Sequence, residues 1–163
     1  MSRIVPSTLV SAVLATALFA CTPAEAPIEA IDSVAVTFLN SGKVTPNTLP
    51  FSEAVRVGNM VYLSGQVGIT PGSMTLVSGG MPAEAKQTMD NIRMSLEAHG
   101  LSLEDVVKCT VMLADMREWA AFTEIYTSYF TPPYPARSAL GANGLALGAR
   151  VEVECIAAAR TPA

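Results

Sequence analysis

The chain has 163 residues and a net charge of −4, with 10 Lys and Arg against 14 Asp and Glu and one histidine. No run of Lys or Arg supplies the basic footprint that displaces counterions from nucleic acid, so that class of partner is excluded. The length suits one domain behind a targeting segment, with a core large enough to stand without disulfides.

Met1 to Ala20 reads as an export signal. Arg3 gives the positive start, and Thr8 to Ala20 is an uncharged, mostly apolar run too short to span a bilayer comfortably. It ends in Leu18-Phe19-Ala20-Cys21, similar to a bacterial lipobox, in which the Cys is lipidated and becomes the mature N-terminus; Phe19 is bulkier than the residue usual there. Cleavage after Ala24-Glu25-Ala26 is the alternative, with Pro27 poorly placed behind the cut. A lipoprotein is preferred over simple secretion, and both over a buried helix, which places the domain in a bacterial envelope or periplasm. Residues 21–31, with Pro23 and Pro27, suit a flexible tether. The domain then covers residues 32–163.

Ile31 to Leu39 alternates loosely, with Val34, Val36 and Phe38 on one face, and predicts a first strand. A loop rich in Asn, Gly, Thr and Pro runs to Pro50. Ala54–Val57 and Met60–Ser64 predict a hairpin about Gly58-Asn59. Glycine-rich chain from Gly65 to Gly80 predicts loop, with a short strand near Thr75 to Val77.

Pro82 to His99 predicts a helix with Ala85, Met89, Ile92 and Leu96 as its apolar stripe and Gly100 as its C-terminal cap. Val106 to Leu113, rich in β-branched residues, predicts a strand. A second helix is predicted over Met116 to Phe130, with Asp115 and Glu118 spaced as a capping pair. Its stripe of Trp119, Phe122, Tyr126 and Tyr129 is read as core packing. Arg137 to Leu140 and Ala149 to Ala159 complete the set as strands. Two helices on one face of a mixed sheet is the economical α+β arrangement.

No metal-binding spacing, catalytic triad or phosphate-binding glycine pattern is present. His99 falls near a helix C-terminus, where a surface or capping role is expected. Cys109 and Cys155 both fall in predicted strands; buried free thiols are preferred over a disulfide, and pairing stays open. Arg137 follows Pro132, Pro133 and Pro135 and has the forked donors that grip a carboxylate. Glu152 and Glu154 share one side of a strand whose other side is Val151, Val153 and Cys155. From the residues alone, a solvated sheet face is the preferred reading of those two carboxylates.

Four segments carry a family resemblance over about Ser33 to Arg160. They are Pro50-Phe51-Ser52-Glu53-Ala54-Val55; Val61-Tyr62-Leu63-Ser64-Gly65-Gln66; Ala85 to Leu96 with Val106-Val107-Lys108 and Leu113-Ala114-Asp115; and Pro135-Ala136-Arg137-Ser138 with Val151-Glu152-Val153-Glu154 and Ile156-Ala157. In that order and spacing the chain resembles the RidA/YjgF-like family of α+β proteins with a chorismate-mutase-like fold. The resemblance implies a homotrimer with clefts between subunits, and cofactor-free hydrolysis of reactive enamines and imines such as 2-aminoacrylate to 2-oxo acids and ammonia. It assigns substrate binding to Arg137 and the water-activating acid to Glu152. Phe51, Gly65, Thr123 and Ala139 would line the cleft. The family's cleft tyrosine is Phe51 here, its cysteine is Ala139, and an asparagine of the second helix is Thr123. These changes keep two other readings open: a non-catalytic binder of small carboxylates, and a chaperone-like protein acting through apolar surface.

Overall fold

The computed structural model describes residues 33–160. The signal and tether, with Cys21, lie outside the described residues. In chain order the elements are β1 (Val36–Leu39), β2 (Ala54–Val57), β3 (Met60–Leu63), β4 (Gln66–Val67), α1 (Gly80–Ala98), β5 (Val106–Leu113), α2 (Trp119–Thr127), β6 (Ala136–Gly141) and β7 (Val151–Ala158). The strands form one mixed sheet in the order β1-β2-β3-β7-β5-β6, and β4 also pairs with β7. All pairings are antiparallel except β5 with β6. Those two parallel strands are joined through α2, as a parallel pair requires. This is the expected fold class.

Alternation explains which face is covered. Val151, Val153, Cys155 and Ala157 of β7 and Cys109, Val111 and Leu113 of β5 are at most 1 % exposed. They meet Ala85, Met89, Ile92 and Leu96 of α1 and Phe122 and Tyr126 of α2 in one core. Each large aliphatic chain buried there contributes about 1.5–3 kcal/mol. Gly100 (φ 76) ends α1, with its N–H on the Glu97 carbonyl and that of Leu101 on the Leu96 carbonyl. This is the double bond of a left-handed helix stop.

Several expectations shift. β1 begins only at Val36, and Val34, Val36 and Phe38 stay exposed. No strand forms at Thr75–Val77, where one isolated bridge joins Ile69 to Leu76; the extra strand is Gln66–Val67. The second helix starts as a 3-10 turn, Met116–Glu118, and its regular part is Trp119–Thr127. Asp115 accepts the Arg117 N–H, but Glu118 turns to Arg150, so the expected capping box does not close. A closed box stands instead at Ser102 and Asp105. The preferred reading of Cys109 and Cys155 as free thiols is corrected. They face each other across β5 and β7 and form a disulfide, a register that sequence spacing does not reveal.

Candidate active site

An irregularity in the sheet builds the first half of the site. From Tyr62↔Ile156 to Gln66↔Val153, the β3–β4 side advances four residues while β7 advances three. The one extra residue lifts Ser64-Gly65 off the ladder, as a bulge does. The Ser64 N–H then donates to the Glu53 carbonyl at 3.0 Å, and its hydroxyl to the Ser52 carbonyl at 2.7 Å. These bonds fasten the Phe51–Glu53 segment beside Gly65.

Glu152 approaches from β7. It faces away from the helices, because Val151 and Val153 take the core side. Its carboxylate lies against Gly65 so closely that a Cβ there would stand 2.9 Å from Glu152 Cδ and closer still to Oε1. Burial, and then the like charge of Glu154, hold the Glu152 carboxyl above its ordinary pKa. A cavity of about 380 Å³ opens here, with Phe51, Gly65, Gln66 and Glu152 in its wall. Sequence reasoning placed three of those four. Gln66 sits in the quoted Ser64-Gly65-Gln66 turn but received no role. It is 2 % exposed, and its Oε1 has no hydrogen-bond partner among the described residues. The signal that would have found it is a polar side chain on the core-facing side of a strand.

Arg137 builds the second half. Its register opposite Cys109, and that of Ala139 opposite Val111, turns both toward the helix-covered face of β6, the last strand of the sheet. The guanidinium carbon lies 4.4 Å from the Trp119 ring centroid and 4.7 Å from that of Tyr126. Cation–π contact on two rings fixes the group without satisfying its donors. Nη1 is buried without a partner among the described residues, as are Thr123 Oγ1 and Tyr126 Oη of the same helix. Burial raises the Tyr126 phenol pKa, partly offset by the Arg137 charge. The aromatic stripe is thus core packing that also serves as the arginine's cradle. Ala139, two residues along β6, is exposed.

Within one chain the two halves stay apart. Glu152 faces the side of the sheet away from the helices, Arg137 faces the helices, and β5 lies between their strands. Phe51 and Gly65 share the cavity wall with Glu152, and Thr123 lies on α2 between Trp119 and Tyr126, the two residues that hold Arg137.

A further polar cluster braces the Phe51 segment. Glu53 is 2 % exposed and accepts from the Ser41 N–H at 2.7 Å and the Ser95 hydroxyl at 2.6 Å; His99 Nε2 lies at 3.3 Å. His99 caps α1 as expected, but its ring packs on Glu53 instead of facing solvent.

A family profile described as Endoribonuclease L-PSP matches residues 43–159. A 2-iminobutanoate/2-iminopropanoate deaminase of Mus musculus is 47 % identical over 108 residues, which is 66 % of this chain and 80 % of that protein. The crystal structure of the yeast protein YEO7 superposes with a TM-score of 0.73 at 37 % identity, covering 77 % of this chain and 100 % of that one. That of RidA from the Antarctic bacterium Psychrobacter sp. gives 0.70 at 39 % identity, covering 75 % and 98 %.

Proposed function

The chain belongs to the Endoribonuclease L-PSP family, the RidA/YjgF proteins, and from that membership we propose that it hydrolyses reactive 2-imino acids and their enamine tautomers to 2-oxo acids and ammonia. The observation that carries this reading is the Glu152 carboxylate lodged against Gly65 in the cavity wall, with its proton affinity raised by burial. A carboxyl poised this way takes a proton from water as it adds to the C=N carbon, then returns it to the departing nitrogen. Water adds to the C=N bond, the C–N bond breaks, and ammonia leaves a C=O in its place.

The reading extends to a homotrimer. Arg137 and Glu152 sit on opposite faces of the sheet. A neighbour's Arg137 brought to the cavity would clamp the substrate carboxylate with the guanidinium donors that its own chain leaves accessible. Phe51 then offers an apolar ring where the family has a phenol, leaving Glu152 as the titrating group on this wall.

Separately, from the apolar run Thr8 to Ala20 and the Leu18-Phe19-Ala20-Cys21 ending, we propose that the protein is exported, with Cys21 lipidated. The Cys109–Cys155 disulfide supports an oxidising compartment. Cys21→Ser should move the protein from the membrane to the soluble fraction, and an unchanged distribution would sink the anchor.

The deciding experiment supplies freshly generated 2-aminoacrylate and the imines of longer 2-oxo acids, and follows imine loss above the spontaneous rate. Wild type should accelerate it, and Arg137→Ala should lose on the order of 100-fold in kcat/KM by removing two charge-assisted bonds. A folded protein that accelerates no imine leaves the second reading, a small-carboxylate binder.

A further inference from the structure

Leu147 is the only non-glycine with positive φ among the described residues, at φ 59 and ψ 9. A branched side chain in this left-handed region is strained, and folding alone would place Gly or Asn there. Core packing does not account for it. Leu145, two residues earlier, packs on the small core of Val67, Ile69 and Ala149. Leu147 remains 52 % exposed and lines the cavity that holds Glu152. Backbone strain that no burial repays gathers where a side chain is needed for function.

The other cavity residues agree in character. Leu49, Ile69 and Met74 join Leu147, and with Phe51 they make the wall mostly apolar, while Glu152 and Gln66 mark its polar part. These apolar side chains offer more wall than 2-aminoacrylate, whose side chain is a single methylene carbon, would cover.

We infer that Leu147 is a specificity-determining residue and that this cavity selects 2-imino acids with bulky aliphatic or thioether side chains over the smallest ones. The inference rests on the deaminase reading for its substrate class. The carboxylate and the C=N carbon lie at the polar end, and the substrate side chain lies on Leu147, Met74 and Ile69. The left-handed residue and the cavity wall thus coincide at Leu147.

The test compares wild type, L147G, L147A and L147M with two substrates, 2-aminoacrylate and the imine of 4-methyl-2-oxopentanoate. Wild type should prefer the larger imine in kcat/KM. L147G and L147A should lose that preference, the ratio of the two kcat/KM values falling by on the order of 10-fold, the scale of a few methylene contacts. L147M should keep it. L147G should melt no lower than L147A, because glycine relieves the left-handed strain, so a lost preference cannot be charged to a damaged fold. An unchanged ratio in L147G and L147A, or an equal fall for both substrates, overturns the assignment. Binding of pyruvate and 4-methyl-2-oxopentanoate by calorimetry separates this failure from failure of the deaminase reading. If wild type hydrolyses no imine, that reading falls, but tighter binding of the larger oxo acid, lost in L147G, still upholds Leu147. Equal binding of both by wild type removes it.

Discussion

The carboxylate of Glu152 fills the space that a side chain on Gly65 would need, with Cδ 2.9 Å from the position of an added Cβ. The obstruction is the far end of a side chain, not backbone. Gly65→Ala should therefore swing the carboxylate aside and leave the sheet intact. Misplacing a reacting group by about 1 Å costs up to ~100-fold in rate. The expected outcome is a loss of 10-fold or more in kcat/KM with a melting temperature near that of wild type, read by imine hydrolysis and thermal unfolding.

Glu152 should cost the fold stability in order to serve the chemistry. Its folded pKa is raised, by burial first and by Glu154 second. The native state therefore holds this proton more tightly than the unfolded chain does. Stability falls as pH climbs from the ordinary value of 4.5 through the folded one, and the penalty is complete above it. Glu152→Gln removes the charge at nearly constant shape. It should match wild type in stability below about pH 4 and exceed it at neutral pH, while losing activity. Thermal melts across that range decide, and a variant less stable at pH 7 would count against the desolvated carboxyl.

Glu53 has the opposite sign. Burial alone would raise its pKa, but donors from Ser41 and Ser95 and the nearby His99 outweigh it, so the net shift is downward. It therefore stabilises the fold above pH 4.5, and this contribution disappears as pH falls through the depressed value. Glu53→Gln should cost about 1–3 kcal/mol at pH 7, the worth of bonds to a buried charge, and progressively less in acid. Denaturant midpoints at pH 7 and pH 3 give the comparison.

The sequence made the fold legible because its apolar positions keep strict periods. Alternation in Val151 to Ala157 and the stripe of Ala85, Met89, Ile92 and Leu96 mark the core face in the sequence itself. Arg137, Glu152, Phe51 and Gly65 were singled out as one site only through the family resemblance. From residue types alone the two glutamates looked like a wet sheet face. Tertiary register was hidden. The one-residue slip that lifts Gly65, the facing of Cys109 and Cys155, and the turn of His99 onto Glu53 all depend on partners 46 or more residues away, or on an insertion no local pattern marks. Leu147 was illegible for another reason: a leucine among glycines and alanines says nothing about its φ.

Because Arg137 and Glu152 lie on opposite faces of the sheet, the proposed homotrimer is testable by complementation. Arg137→Ala and Glu152→Gln should each inactivate the protein alone. If each cleft takes Arg137 from one subunit and Glu152 from the next, mixed trimers regain clefts that carry both. Random exchange in a three-fold ring gives one intact cleft in every mixed trimer, which amounts to about one quarter of wild-type activity for equal amounts. Co-unfolding and refolding the two variants, then assaying imine hydrolysis, measures this directly. No recovery from well-mixed trimers would mean that a single subunit completes its own site. The separation of Arg137 from Glu152 across β5 would then have to be closed by a rearrangement within the chain.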